Sequence, residues 1–535
     1  MTWRSALRSN REVLLAVGAL SAIAYGILAF HLTLAGDDWS AVLDPRGKHQ
    51  SFLSLGRWMT VLLWKVVGDG LFAPTFTLAL FVAGALAGAF VLARTLGLED
   101  RAEVFVFTAL FTFCPVLAEQ AVFKSNHVSL GVGFLLASLA VALATRALRR
   151  RLAGEAGAWS ATAGAAGLMA LAVGNQQSLL LFGVAACAGA ALASRWDESR
   201  PSPGAFVRAA ALVYGLTCVL GGALYWGATT AIQAVAGIEA RSSGKYSAAL
   251  IENSEQFARN LERLGDHLFQ FLLESQHLWP GYAKVAFLLA LGWTLLRTWK
   301  RPRSGSASPA PEALLLLALA ALLLLAPWLL GLVRRPDNSY RYTALMGLVP
   351  LYPVAFALAL RATPRGTHRT LLLGLSGAVV AMFVFAQNAA SVSTLTSNWR
   401  DLALSQRILA RIEAHPDYAS LPARHEIVLV GQLPAAEEGP PFSLSSRAPM
   451  SDSVVQAGVY REQPHRFRAI MAFCDYPNEL RTFSTLSNKT FQQLSPQRLA
   501  QARAALRAAQ PWPAWEAVQF AGDRIFVVLQ VPDGN

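Results

Sequence analysis

The stretch LLAVGALSAIAYGILAFHLTLAGDDW, residues 14–39, decides how the rest of the chain is read. Its first part, Leu14–Phe30, is an apolar run long enough to cross a bilayer. Asp37 and Asp38 follow almost at once, where a carboxylate near lipid is costly. Two readings are open at this point. The pair caps a helix or marks solvated loop, or it is a general base waiting for a substrate hydroxyl at the membrane surface.

Composition supports a membrane setting. Of 535 residues, 54% are hydrophobic and only 15% are charged, and the mean hydropathy is +0.39, too apolar for an ordinary soluble globule. The basic start MTWRSALRSNRE precedes Leu14–Phe30 without a convincing small-residue cleavage site, so the run reads as a retained signal-anchor. About eleven runs meet the span criterion, from Leu14–Phe30 through Val104–Phe123 to Leu371–Ala386. With the N-terminus in the cytoplasm, the tail and cytoplasmic loops carry about 19 Lys/Arg against about 12 in a longer total of outer loops, as the positive-inside rule asks. The net charge of +13 is therefore topological; it forms no stripe of the kind nucleic acid needs. An odd number of spans places the C-terminus outside.

The expected organisation is a transmembrane region, residues 1–388, followed by an extracytoplasmic α/β domain, residues 389–535. Outer loops 34–73 and 236–282 each hold an amphipathic helix, SFLSLGRWMTVLLWKVVGDG around Arg57 and Lys65, and NSEQFARNLERLGDHLFQFLLE. Beyond Gln387, NWRDLALSQRILARIEAH and SPQRLAQARAALRAAQ predict helices, HEIVLVG a buried strand, and AWEAVQFAGDRIFVVLQ a hairpin turning at Gly522–Asp523. Cys114, Cys187, Cys218 and Cys474 offer no pair in one compartment, hence neither a disulfide framework nor a cysteine metal site.

Two further clusters can carry chemistry. In TFCPVLAEQAVFKSNH, Pro115 interrupts an apolar run and Glu119, Lys124 and His127 follow. A kinked helix end with an acid and a base is a place for a polar ligand to enter, and equally for an internal Glu–Lys pair or a snorkelling lysine. In GLVRRPDNSYRYTALMG, Arg334, Arg335 and Arg341 stand with Tyr340 and Tyr342 at headgroup depth. Guanidinium groups there can grip a phosphate bidentately, and ordinary lipid headgroups would satisfy them too. Nucleotide-hydrolase, zinc-protease, esterase and thiol-redox motifs are missing from the sequence.

Taken in order, the basic tail and first span, the outer loop with DD and then GRW, the third span ending in a proline and an acid followed by lysine, and the helix RDLALSQRILARIEA resemble the GtrII-type glucosyltransferases. These belong to the polytopic glycosyltransferases with the GT-C fold. The resemblance implies a multi-pass protein of the bacterial inner membrane that moves a hexose, glucose first among them, from a polyprenyl-phosphate donor to a surface polysaccharide such as O-antigen, or to a glycolipid. It implies undecaprenyl phosphate as the sugar carrier and a base role for Asp37 or Asp38. Asn126 and His127 stand where the family pattern leads one to expect another acid.

Physical logic runs parallel to the resemblance. A lipid-phosphate donor needs a base for the acceptor hydroxyl and cations for the departing phosphate. Arg341, Arg334, Arg335 and Arg57 are the cation candidates, and Glu119, Lys124, His127, Tyr340 and Tyr342 the candidates for holding sugar or acceptor. Direct attack inverts the anomeric carbon. No cofactor, metal or nucleic acid is called for. The competing classes are a transporter or flippase of lipid-linked sugars, which would place charges at mid-membrane, and a catalytically dead scaffold.

Overall fold

A computed structural model describes residues 3–31, 33, 38, 45–68, 73–194, 202–240, 253–273, 281–299, 309–329, 345–421, 425–430, 474, 482–486, 496–521 and 524–529. It is mostly helical, and its contacts divide it into two units: Met1–Phe30 with Arg46–Asn388, and His31–Pro45 with Ala389–Asn535.

In the first unit the helices are α1 (Trp3–Ser9), α2 (Arg11–Phe30), α3 (Pro45–Ser54), α4 (Trp58–Gly68), α5 (Pro74–Thr95), α6 (Arg101–Thr112), α7 (Pro115–Val122), α8 (His127–Leu152), α9 (Ala158–Asn175), α10 (Leu179–Ser194), α11 (Pro203–Ala236), α12 (Ser254–Leu273), α13 (Gly281–Trp299), α14 (Pro309–Leu325) and α15 (Leu351–Ala362), and α16 (Thr367–Glu413) begins here. Among the described residues five helical stretches are long and apolar enough to cross a membrane: Arg11–Phe30, Pro74–Thr95, Lys124–Leu152, Pro203–Ala236 and Thr367–Glu413. The pair α6 and α7, bent by 43° at Cys114–Pro115, makes a sixth if it is one span. Four shorter apolar helices accompany them, Leu179–Ser194 and Met346–Ala362 among them.

The core is made by close helix approach. α5 and α8 share the most extensive helix contact, and glycine makes it possible. A Cβ on Gly84 would lie 2.4 Å from the backbone of Gly131, and one on Gly131 2.7 Å from the Leu80 carbonyl oxygen. Backbone meeting backbone in this way is the small-residue solution to packing where lipid supplies no hydrophobic drive. Around it Phe111, Phe134 and Phe182 meet edge to face, with centroids 5.4–5.8 Å apart.

Two expectations are modified. The first amphipathic segment is two helices, because Gly56 at φ +75° ends α3 in the left-handed conformation that glycine adopts without penalty. The helix expected to start near Asn398 is continuous with the last apolar run: α16 extends unbroken to Glu413, since helix-forming residues keep the backbone going after hydrophobicity stops. The second amphipathic segment forms α12.

In the second unit a four-stranded sheet of β1 (Glu426–Val430), β2 (Thr482–Leu486), β3 (Val518–Ala521) and β4 (Arg524–Val528) has the order β2-β1-β4-β3. β1 is parallel to both neighbours, and β3–β4 is antiparallel. Val428, Val430, Phe526 and Val528 form its core, and α17 (Pro496–Ala508) packs against β3 and β4. The end of α16 joins this unit through Arg411, whose guanidinium donates to the Ala514 carbonyl and lies 4.3 Å over the Trp512 ring, while His415 stacks on Phe520 at 4.1 Å.

Candidate active site

The first unit has two polar ends. At one, the Thr75 hydroxyl donates to the Ala29 carbonyl at 2.8 Å and Lys124 Nζ to the Leu28 carbonyl at 3.3 Å, which ties the C-terminus of α2 to the start of α5 and to the turn before α8. At the other, Arg101 pairs with Glu12 at 2.6 Å. The first is the end from which the Asp37–Asp38 loop departs.

Its structure follows from Pro115. Without an N–H, Pro115 cannot continue the helix through Cys114 and leaves carbonyls behind it without intrahelical donors. Side chains donate to them, and at Cys114 the Leu117 N–H does so too, at 2.7 Å. Tyr25 donates to Thr112 O at 2.7 Å, and Gln387 Nε2 donates to Cys114 O at 2.9 Å and Phe113 O at 3.3 Å. The bend is thus held by polar groups from α2 and α16, and α7 delivers the short turn Lys124–Asn126.

Lys124 is buried there. His127 is fully buried, with Nε2 2.8 Å from the Ala121 carbonyl; a carbonyl only accepts, so Nε2 carries the proton. Nδ1 faces Thr77 Oγ1 at 3.4 Å, and the ring stacks on Phe81 at 5.5 Å. Both nitrogens and one face are engaged inside the protein, so His127 holds the turn and presents no open edge to a sugar. Glu119 lies on α7, and its side chain is outside the described residues.

The α3–α4 hairpin covers this end, and its side chains are contacts that the sequence alone did not single out. Trp64 Nε1 donates to Ser125 O at 2.9 Å, Thr60 to Asn175 O at 3.0 Å and Gln233 Nε2 to Leu53 O at 2.8 Å. Gln177 donates to Leu55 O and lies 2.9 Å from the Tyr225 hydroxyl. Gln233 from α11 and Gln177 from the α9–α10 turn therefore hold the residues just before Gly56 and Arg57, while Thr60 and Trp64 tie α4 to the end of α9 and to the turn before α8. The only signal for them in the sequence is tryptophan and amide side chains at the ends of apolar runs, the positions where an amphipathic group finds both apolar and polar surroundings.

Asp38 belongs to the second unit and is fully buried, so it is no solvated bystander. Asp37, Arg334, Arg335, Tyr340, Arg341 and Tyr342 lie outside the described residues. In Asp38's own unit, the His31 ring meets Trp399 edge-on at 6.3 Å.

The first unit is thus a helical body with membrane-capable helices, a proline-broken segment and a tethered hairpin. The family model for glucosyl transferase GtrII matches residues 26–353, and the chain belongs to that family. No curated protein and no solved structure matches it. The matched region contains the acid pair, the bend, the hairpin and the arginine–tyrosine loop. Family membership makes the protein a glycosyltransferase, acting on a sugar donor and an acceptor.

Proposed function

We propose that the protein transfers a hexose, glucose first, from a polyprenyl-phosphate carrier to a surface polysaccharide such as O-antigen, on the outer side of the bacterial inner membrane. The observation that carries this reading is the family match over residues 26–353, which includes every candidate residue from Asp37 to Tyr342. In this scheme one of Asp37 and Asp38 takes the proton of the acceptor hydroxyl as its oxygen attacks the anomeric carbon. The sugar–phosphate bond breaks, its electron pair leaves with the lipid phosphate, and configuration inverts. Arg341, assisted by Arg334, Arg335 and Arg57, holds that phosphate, whose charge rises as the bond breaks. Tyr340, Tyr342 and Glu119 remain the residues proposed to hold sugar or acceptor, whereas Lys124, buried and donating to the Leu28 carbonyl, holds the turn beside His127. The GT-C fold, the cytoplasmic N-terminus and the periplasmic α/β domain at 389–535 belong to the same proposal.

Burial of Asp38 supports the base role, because a carboxylate withdrawn from water is retained where it has a task or a partner. The test is sugar transfer in membranes with equal, measured protein levels, using a polyprenyl-phosphate-linked hexose. Asp37→Asn and Asp38→Asn are compared, and one of them should lose about a hundredfold or more in rate with donor binding intact. Arg341→Gln should impair donor use more than acceptor use, and Arg341→Lys should recover only part of it, because the planar fork is lost. Near-normal transfer by both Asn variants would remove the base assignment. Transfer from a soluble nucleotide sugar without the lipid carrier would remove the donor assignment.

A further inference from the structure

The other end of the first unit holds a cavity of about 770 Å³ lined by Arg94, Gly97, Glu99, Asp100, Glu103, Arg149 and Arg361. It is one length of α5 away from His127, about 30 Å at 1.5 Å per residue. From the structure we infer that this cavity is a binding site for the phosphate group of a membrane lipid, separate from the transferase site.

The charges explain the choice of ligand. Of the three acids, Asp100 caps α6 by accepting from the Ala102 N–H at 2.8 Å and pairs with Arg369 at 3.0 Å. Glu103, buried, pairs with the same guanidinium at 3.1 Å. Both thus take their ion pair from a cation outside the lining, although the lining Arg361 adds a weaker attraction to Glu103, and Glu99 is the lining acid without an ion pair to a described residue. Three arginines face it. Arg94 and Arg361 are oriented by the loop they overhang, Arg94 Nη1 donating to Leu98 O at 2.6 Å and Arg361 Nη1 to Leu96 O at 2.5 Å. Gly97, at φ +71°, makes that approach possible, since a Cβ there would lie 3.1 Å from Arg361 Nη1. Arg149, from the end of α8, is exposed and makes no hydrogen bond or ion pair to a described residue.

A guanidinium offers five N–H donors in a rigid planar fork, and several such groups converging on one space suit tetrahedral phosphate oxygens. The volume falls in the range of small-ligand sites. The cavity sits at the ends of membrane-capable helices, the depth of phospholipid headgroups. A soluble phosphate has the same chemistry, and the experiment separates the two sources.

The full chain is placed in nanodiscs of phosphatidylcholine doped with phosphatidylglycerol, and the phospholipid retained on the protein is counted by native mass spectrometry. Wild type should retain phosphatidylglycerol. Arg149→Gln and Arg94→Gln should each retain roughly threefold to tenfold less, as loss of a charge-assisted hydrogen bond implies. Arg146→Gln, on the same helix but outside the lining, should match wild type, and Glu99→Gln should retain more. Arg149 carries no described structural bond, so its variant keeps the test valid if Arg94→Gln fails to fold. A second arm titrates inorganic phosphate. Displacement of bound lipid by millimolar phosphate, lost in Arg149→Gln, would support the phosphate site and give it a soluble occupant. Equal lipid retention by wild type, Arg149→Gln and Glu99→Gln, with no effect of phosphate, would overturn the inference and leave the cavity a charge network only. Sugar transfer is not the readout, so failure here is independent of failure of the proposed reaction.

Discussion

At the His127 end of the first unit, polar groups are sealed. Lys124, His127, Ser125 and Gln387 are buried, and their described bonds run to backbone carbonyls or receive a neighbouring side chain. At the Arg94 end, full charges surround an open cavity, and Asp100 and Glu103 share Arg369. The contrast shows two ways to keep polar groups beside lipid. Neutral or single cationic groups can be sealed against carbonyls left by a bend or a helix end, whereas opposing charges need either water or close pairing. A sealed end gives fixed geometry, which a transferase needs for its substrate loops. An open charged end gives room for an exchangeable ligand.

The strongest way to break the contrast is at Arg369. Its side chain is 12% exposed and that of Glu103 7%, so Arg369→Gln strands a buried carboxylate and should cost about 3–5 kcal/mol. Thermal unfolding in detergent measures it. Arg101→Gln is the matched control on the same end, because its pair with Glu12 is exposed by 61% and 78% and should shift stability by less than about 1 kcal/mol. Equal losses for the two would mean that burial does not distinguish these pairs.

That end was not legible in the sequence, and the reason is physical. Arg94 and Asp100, Arg149, and Arg361 and Arg369 come from helix ends in three stretches far apart in the chain, and each alone reads as a positive-inside charge or its neighbour. The bend at Pro115 and the amphipathic character of the segments at 51–70 and 253–274 were legible, since a proline inside an apolar run and apolar residues at helical spacing are local signals. The hairpin break at Gly56 and the run of α16 to Glu413 were not. The first depends on Tyr225 and Gln177, more than a hundred residues away. The second is a continuation of backbone that side-chain polarity does not mark. Family resemblance was legible from four short motifs in order, while His127's enclosure needed Phe81 and Ala121 to be brought together in space.

A smaller effect sharpens the comparison by testing what joins the two ends. α5 runs from one to the other, and Gly84 and Gly131 hold it against α8 near its middle. Gly131→Ala sets a Cβ 2.7 Å from Leu80 O and 2.8 Å from Phe81 Cα, backbone-region atoms that cannot turn away. It should destabilise by about 1–3 kcal/mol. Gly167→Ala, with nothing within 4 Å of its Cβ, should be neutral or slightly stabilising, as alanine is in an open helix position. If both variants unfold alike, close backbone contact is not what joins the ends.

The smallest expected effect concerns the cover of the sealed end and its response to acid. His49, on α3, meets Trp64 edge-on at 5.5 Å, and Trp64 in turn holds Ser125. Burial, and then the nearby Lys65 charge, hold the His49 pKa below its ordinary value. The docked hairpin therefore favours neutral imidazole, and the undocked one takes up a proton near the ordinary value of about 6.5. Above that value neither form is protonated and docking is unaffected; as pH falls below it, the undocked form gains a proton that the docked form resists, and docking weakens. Hydrogen exchange of residues 45–68 should accordingly quicken a few-fold between about pH 7.5 and pH 5.5, after correction for intrinsic exchange. His49→Gln should flatten the pH response. Lys65→Gln removes the second cause only, so it should shrink the response without abolishing it. An acid response of equal size in wild type and His49→Gln would assign the loosening to another group and leave the sealed end indifferent to His49.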